Sequence, residues 1–158
     1  MYRQPEILPS RNGVVVPETA ETLPDGRVAL RFERHLRHSR EKVWRAITEP
    51  DQLRAWFVEI IDYDRSRLDF APGAPLTFAA AGFPDGRGEV TGYDPPALLE
   101  YTWAGEILRF ELTAEGETCR LAFTNIVDGP ETASALREGW QTGLDRLAAT
   151  LGDADARR

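Results

Sequence analysis

Two short amphipathic helices are predicted in the segment from Arg34 to Phe57. Apolar residues recur at helical spacing in each, as Val43, Trp44 and Ile47 in the first and as Leu53, Trp56 and Phe57 in the second. Helices well below about 12 residues are marginal in water on their own, so both stripes need a large apolar partner surface. We expect that surface to be a β-sheet supplied by the rest of the chain.

Local signals delimit these helices and the strand before them. Ser39 is a favourable N-cap for a helix that runs through about Ala46, and Pro50 suits the first position of a second helix that runs through about Phe57. The stretch before them alternates in the manner of a half-buried strand, with Val28, Leu30 and Phe32 on one face.

The region after the helices is typical of consecutive hairpins. Turn signals occur at Asp85-Gly86, at Asp94-Pro95-Pro96 and at Glu115-Gly116. We therefore count six or seven antiparallel strands, with no helix between Phe57 and Asp128.

The longest predicted helix runs from about Pro130 or Glu131 to Leu151. It carries one apolar stripe made of Leu136, Trp140, Leu144, Leu147 and Leu151. Gly139 and Gly143 interrupt it, each at a cost of about 0.8 to 1 kcal/mol relative to Ala. Close approach to the sheet, a bend around a cavity, and two tolerated glycines without a role all remain open.

This order of elements predicts an α+β fold of the helix-grip type. A curved antiparallel sheet of six to seven strands would wrap around a long C-terminal helix, and the two short helices after the first strand would close one end. We place the domain at residues 27–151, after a partly flexible N-terminal arm (residues 1–26) that is rich in Pro, Glu and Thr and before a disordered tail (residues 152–158).

Charge and composition exclude several function classes. The net charge of −7 argues against general nucleic-acid binding, which needs a concentrated positive field. The sequence contains no apolar stretch long enough to cross a membrane and no apolar region typical of a secretory signal near its start, so we expect a cytoplasmic protein without membrane partners. Cys119 is the single cysteine, and its alternation with Leu121 and Phe123 places it in the core rather than at a reactive site.

One local stretch departs from the acidic whole. Six basic residues, Arg31, Arg34, Arg37, Arg40, Lys42 and Arg45, face only Glu33 and Glu41. A solvated face is the simpler interpretation, and a surface for an acidic partner is the alternative.

Several segments together resemble a known family. They are ERHLRHSREKVWRAITEPDQLRAWF, GEVTGYDPPALLEYTW, RFELTAEGETCRLAFTN and EGWQTGLDRLAATL, which span about Arg27 to Leu151. On these segments the chain is similar to the AHSA1-like (Hsp90 ATPase activator homologue) family of the START/Bet v 1-like superfamily. The strongest marks are Val43-Trp44, Trp56-Phe57, Pro95-Pro96 and Gly139-Trp140.

The resemblance implies a helix-grip domain with an internal cavity for an apolar small molecule. Eukaryotic Hsp90 activators carry an additional N-terminal domain that this sequence lacks, so we do not expect an Hsp90-type chaperone as partner. Asn125 stands where many relatives have a histidine, which removes a potential base near the cavity. Pro72-Gly73-Ala74-Pro75 stands where a Gly-Gly turn is common, which changes the rim of the cavity.

Residues for catalysis or metal binding do not emerge from the sequence. His35 and His38 lie together at a strand-to-helix junction without a third metal ligand at a recognisable spacing. Glu89, Glu106 and Glu111 lie on or near strands, and alternation directs Glu111 outward. We therefore predict no catalytic residues, no metal and no cofactor.

Aromatic and aliphatic residues on facing elements are the candidates for ligand binding. The predicted set is Trp56, Phe57, Phe78, Tyr101, Trp103, Phe110, Phe123, Leu136, Trp140 and Leu144. We hypothesise that they hold a small apolar or aromatic molecule between the sheet and the C-terminal helix. A cyclase-like or hydratase-like enzyme using the same cavity, and a stress-related or chaperone-linked interaction module, are the alternatives. The sequence leaves a homodimer open.

Overall fold

The computed structural model describes residues 8–9, 15–16 and 18–156. In chain order the elements are β1 (Leu8–Pro9), β2 (Val15–Val16), β3 (Glu18–Thr22), β4 (Val28–Leu36), α1 (Arg40–Thr48), α2 (Pro50–Trp56), β5 (Pro75–Ala80), β6 (Phe83–Asp94), β7 (Leu98–Trp103), β8 (Glu106–Glu115), β9 (Thr118–Val127) and α3 (Pro130–Ala156). The predicted helix-grip fold is confirmed, with a curved sheet, a short helix pair and a long last helix.

Seven antiparallel strands form the main sheet, in the spatial order β3-β4-β9-β8-β7-β6-β5. The early strand β4 is the second strand of this sheet and lies beside the late strand β9, where Val28 pairs with Val127 and Leu36 pairs with Cys119. The strands from β5 to β9 follow one another as a meander, as the turn signals indicated.

The two short helices begin where the sequence predicts. Ser39 caps α1, because its Oγ accepts a hydrogen bond from the backbone N–H of Lys42 at 3.2 Å, and Pro50 occupies the first turn of α2. The indole Nε1–H of Trp56 donates to the carbonyl of Ala46 at 2.8 Å. This buried hydrogen bond ties the end of α2 to α1.

One predicted turn is wrong. Asp85 and Gly86 lie inside β6, and the hairpin instead turns at residues 81–82, where Gly82 has a φ of +82°. The glycines of β6 serve close packing rather than a turn. A Cβ at Gly88 would lie 1.7 Å from the carbonyl oxygen of Thr102, and one at Gly86 would lie 2.5 Å from the indole nitrogen of Trp103.

The sheet and the last helix both extend past the predicted domain boundaries. β3 pairs with β4 from Glu18 onward, within the segment interpreted as an arm, and α3 continues to Ala156. Glu18 also accepts hydrogen bonds from Arg137 and Gln141 on α3, so the edge strand is attached to the helix. The remaining predictions for residues 1–17 and 157–158 lie largely outside the described residues.

Aromatic rings fill much of the space between the sheet and the helices. The ring of Phe123 lies 4.7 Å from that of Phe110 and 4.7 Å from that of Trp140, measured between centroids. Trp103 stacks on Phe78 at 4.4 Å. Cys119 is fully buried in this core, as predicted, and burial raises the pKa of its thiol.

Candidate functional site

A pocket with a volume of about 530 Å³ lies between the end of α2 and one side of α3. Its wall is formed by Trp56, Phe57, Val58, Glu59, Ala135, Leu136, Glu138, Gly139, Trp140, Thr142, Gly143 and Arg146. Glu138, Gly139 and Thr142 are exposed, so the pocket opens to solvent along α3. We call it the α2–α3 groove.

The floor of the α2–α3 groove is aromatic. Trp56 and Phe57 end α2 with their ring centroids 5.3 Å apart, and the ring of Phe57 lies 5.8 Å from that of Trp140. All three side chains are buried; Trp140 retains 8% of its surface. The apolar stripes of α2 and α3 therefore meet at this floor. The core residues Phe110 and Phe123 pack against its inner side.

Small residues on α3 keep the groove open. Ala135, Gly139 and Gly143 follow one another at a spacing of four residues and so share one side of the helix. A Cβ at Gly139 would meet no atom within 4 Å, whereas one at Gly143 would lie 3.5 Å from the carbonyl oxygen of Trp56. Gly143 thus marks where α2 and α3 approach, and Gly139 borders open space.

Charged side chains stand at the rim. Arg146 of α3 forms an ion pair with Glu59, which follows α2, so the pair joins the two walls of the groove. The side chains remain 43% and 68% exposed, respectively, which makes this a surface ion pair. Glu138 lies at the opposite end of the groove, two turns of helix away.

A series of buried hydrogen bonds positions the Trp140 side chain in the groove wall. The indole Nε1–H of Trp140 donates to Oδ1 of Asn125 at 2.8 Å, and the Asn125 amide donates to Oε1 of Glu106 at 3.2 Å and to the carbonyl of Ile107 at 3.1 Å. Burial raises the pKa of the Glu106 carboxyl; the hydrogen bond from Asn125 opposes this effect and the nearby Asp128 charge adds to it. Asn125 is fully buried and fixes the orientation of the indole.

The structure divides the predicted ligand-binding residues into two groups. Trp56, Phe57, Leu136 and Trp140 line the α2–α3 groove. The other six, Phe78, Tyr101, Trp103, Phe110, Phe123 and Leu144, pack in the core behind it. The described wall of the groove contains no strand residue, so the pocket lies beside the sheet-facing side of α3 rather than between the sheet and the helix.

Sequence reasoning missed Glu59 and Arg146 as groove residues. Glu59 follows the predicted helix and gives no signal of its own. For α3 a signal existed: Ala135, Gly139, Gly143 and Arg146 recur at intervals of three or four residues, the spacing of one helix face. Ala135, Gly139 and Gly143 form a stripe of small residues in the sequence, beside the apolar stripe of α3.

Tyr101 has an unusual environment in the core. Its hydroxyl is fully buried and has no hydrogen-bond partner within the described part of the chain. Its ring lies 5.0 Å from Phe70 and 6.2 Å from Phe78, and burial raises the pKa of the phenol well above its ordinary value. The hydroxyl therefore sits among rings and does not reach the groove wall.

His35 lies near the end of β4, and His38 lies between β4 and α1. His35 Nδ1 lies 3.2 Å from Oε1 of Glu115, and His38 Nδ1 lies 3.3 Å from Nζ of Lys42. Over residues 8–9, 15–16 and 18–156, no group of three metal-ligating side chains comes together. Among these same residues no helix is long and apolar enough to cross a membrane.

The basic stretch from Arg31 to Arg45 is partly neutralised by neighbours. Arg31 pairs with Glu21 on the edge strand, and Arg40 lies 3.9 Å from Glu41. Arg37 and Arg45 are exposed. The stretch therefore forms a mixed surface in the fold rather than one positive face.

Comparison with known proteins identifies relatives of this architecture. The family model for activator of Hsp90 ATPase homolog 1-like proteins matches residues 37–152, which is most of the chain. A comparison with curated proteins gives no match.

Solved structures with the same architecture come from several bacteria. CalU16 from Micromonospora echinospora is 21% identical with a TM-score of 0.67, over 90% of this chain and 88% of its own. Protein MLL2253 from Mesorhizobium loti is 22% identical with a TM-score of 0.68, over 79% and 97%. The AHSA1-like protein from Aeromonas hydrophila is 22% identical with a TM-score of 0.67, over 80% and 94%. At these identities the likeness shows a shared fold.

Proposed function

Because the chain belongs to the family of activator of Hsp90 ATPase homolog 1-like proteins, we propose that it is a binding module that holds a small apolar or aromatic molecule in the α2–α3 groove. One observation carries the proposal: the groove is an open space of about 530 Å³ with Trp56, Phe57 and Trp140 at its floor. Ligand sites in proteins commonly have volumes of about 300 to 1,000 Å³ and mostly apolar walls.

The exposed glycine in the groove wall supports this proposal. Gly139 lies in the interior of α3 with open space beside it, so neither a positive φ nor a tight contact requires a glycine there. A glycine inside a helix costs about 0.8 to 1 kcal/mol relative to Ala. The absence of a side chain at Gly139 leaves free space along α3. A ligand lying against α3 would occupy this space.

Apolar burial would supply the affinity. Each Å² of apolar surface removed from water contributes about 25 cal/mol, and the half-buried Leu136 side chain offers such surface beside Gly139. The rigid floor limits the cost of binding, because Trp140 is already held by Asn125 before a ligand arrives.

The titratable groups with a raised pKa favour binding over catalysis in this groove. Tyr63, Tyr101 and Cys119 have pKa values raised by burial, and none of the three belongs to the described groove wall. Glu106 reaches the wall only through Asn125 and Trp140. An enzymatic use of the groove would need a perturbed acid or base in contact with the ligand.

A blocking variant tests the proposal. Gly139→Leu would project a side chain into the groove, and Gly152→Leu places the same side chain at another glycine of α3 that also has open space beside it. The probe is 1-octanol, added to ¹⁵N-labelled protein and followed by the amide signals of Gly139 and Gly143 and the indole signal of Trp140. The reporter of the blocked variant is Trp140, which it retains.

We expect 1-octanol to shift these signals in the wild type and in Gly152→Leu, and not to shift the Trp140 signal in Gly139→Leu. Thermal unfolding should show both variants folded, since both remove a helical glycine. Absence of shifts in the wild type, or unchanged binding by Gly139→Leu, would reject the groove as the binding site.

A further inference from the structure

We propose that the ligand of the α2–α3 groove is an amphipathic carboxylate, whose apolar part lies over Trp140 and Gly139 and whose carboxylate binds Arg146 in place of Glu59. This inference rests on the proposed function and names the chemical class of the ligand. It starts from the ion pair between Arg146 and Glu59 at one end of the groove wall.

The Glu59 carboxylate shows what Arg146 can bind at this place. A guanidinium presents a planar fork of N–H donors that matches a carboxylate, and Glu59 already supplies one oxygen to it. Glu59 is 68% exposed and lies in the segment after α2, so its side chain can turn into solvent. An exposed ion pair of this kind is weak, and exchanging one carboxylate for another leaves the charge of Arg146 paired.

The position of Arg146 sets the length of the ligand. Arg146 follows Gly139 by seven residues, which places it about 10 Å along the axis of α3. The wall between them is formed by Trp140 and Gly143, and Thr142 borders the opening. A chain or ring system of roughly this length would therefore place its polar end at Arg146 and its apolar end over the vacant wall at Gly139.

The main alternative to a carboxylate ligand is a ligand with a cationic end. Glu138 stands at the other end of the groove and would attract a ligand with a cationic end. The aromatic residues of the floor are buried and expose little ring face, which weakens the cation–π contribution that such a ligand would need. Arg146 is thus the better-matched anchor.

Three eight-carbon probes separate the choices: octanoate, 1-octanol and octylammonium. Their dissociation constants are measured near neutral pH and low salt by the same amide and indole signals of Gly139, Gly143 and Trp140. We expect octanoate to bind more tightly than 1-octanol, by no more than about fivefold, because a partly exposed charge pair contributes little and the pair with Glu59 is lost in the exchange. Octylammonium should bind more weakly than octanoate.

Two variants of the ion pair make opposite predictions. Arg146→Gln should reduce the octanoate affinity to that of 1-octanol, and Glu59→Gln should raise it by freeing the guanidinium. The quantity compared in each variant is the ratio of its octanoate affinity to its 1-octanol affinity. Arg137→Gln is the matched control, because Arg137 is also an α3 arginine paired with a glutamate, Glu18, but lies outside the groove wall.

The outcomes distinguish this inference from the proposed function. If 1-octanol and octanoate bind equally, or if octylammonium binds most tightly, the groove stands as a binding site and the carboxylate anchor is rejected. If no probe binds, the proposed function fails and the inference fails with it. If Arg137→Gln loses the octanoate preference as Arg146→Gln does, the effect is one of overall charge and the anchor is rejected.

Discussion

Trp140 and Asn125 form a buried hydrogen bond, in which the indole Nε1–H donates to the side-chain oxygen across 2.8 Å. The bond joins α3 to the C-terminal part of β9, so it fixes both the helix position and the orientation of one groove wall. An indole N–H buried without a partner is costly, which makes the two residues energetically dependent on each other.

Replacing Asn125 should reveal this dependence. We expect Asn125→Leu to lower the free energy of unfolding by about 1 to 3 kcal/mol, because it leaves the Trp140 N–H unsatisfied. In a double-mutant cycle with Trp140→Phe, the double variant should lose less stability than the two single variants summed. Urea unfolding measures all four proteins, and strictly additive losses would show that the hydrogen bond contributes nothing.

Gly139→Ala should stabilise the protein. Its Cβ would enter open space and remove the helix penalty of glycine, so we expect a gain of about 0.8 to 1 kcal/mol in the free energy of unfolding. Chemical denaturation provides the measurement. A loss of stability would mean that this residue has a structural role that the surrounding atoms do not reveal.

Gly88→Ala should have the opposite effect. A Cβ at this position would lie 1.7 Å from the backbone oxygen of Thr102, so β6 and β7 would have to separate. We expect a loss above about 2 kcal/mol in the free energy of unfolding, as for other substitutions that overpack a core. A denaturation midpoint equal to that of the wild type would contradict the close approach of the two strands.

Glu106 should make stability depend on pH. Burial raises its carboxyl pKa in the folded state, so between the unfolded and folded pKa values the folded protein binds more protons. Stability therefore falls as pH rises through this interval, which begins at the ordinary pKa of glutamate. We expect Glu106→Gln to flatten that fall, because its amide does not titrate.

Urea unfolding at a series of pH values measures this effect, and an NMR titration of the Glu106 carboxyl carbon measures the pKa directly. A stability difference between wild type and variant that stays constant with pH would contradict the prediction. A titration midpoint at or below the ordinary value would contradict it independently.

Tyr101 and Tyr63 offer a matched pair of buried or half-buried hydroxyls. The Tyr63 hydroxyl donates to the carbonyl of Val58 at 2.8 Å, whereas that of Tyr101 has no partner within the described residues. Tyr63→Phe should cost about 0.5 to 1.5 kcal/mol, the usual net value of a hydrogen bond. Tyr101→Phe should be neutral or stabilising, because it removes an unsatisfied polar atom from among the rings.

Thermal unfolding of the two variants compares them directly. The order of the two midpoints is the result that matters, with Tyr101→Phe above Tyr63→Phe. The reverse order would show that the Tyr101 hydroxyl is satisfied in solution.

The helix pair was predictable because its signals are local. Ser39 caps α1 by reaching a backbone N–H three residues away, and Pro50 starts α2 through its own fixed φ. The turn predicted at Asp85-Gly86 was wrong because local signals do not record contacts between strands. Gly86, which favours a turn in the sequence, is needed for its close contact with Trp103 on the next strand, and only the strand register shows that requirement.

The candidate site was predictable only in part, because hydrophobicity does not say which side of an aromatic ring faces solvent. Trp140 and Phe123 both appear in the sequence as apolar residues on facing elements, and they touch each other. Trp140 lines the groove because α3 leaves one edge of it free beside α2, whereas Phe123 is covered from both sides. The pairing of Glu59 with Arg146 depends on how α2 ends against α3, which no local pattern records.

The placement of β4 beside β9 has a consequence for biosynthesis. Val28 pairs with Val127, so the ladder that joins β3 and β4 to the other strands of the sheet forms only after all the preceding strands have been synthesised. α3 is synthesised later still and then covers Phe123 and Phe57. Until that moment the growing polypeptide carries an uncovered aromatic surface, and the domain acquires its protection from aggregation only with its last helix.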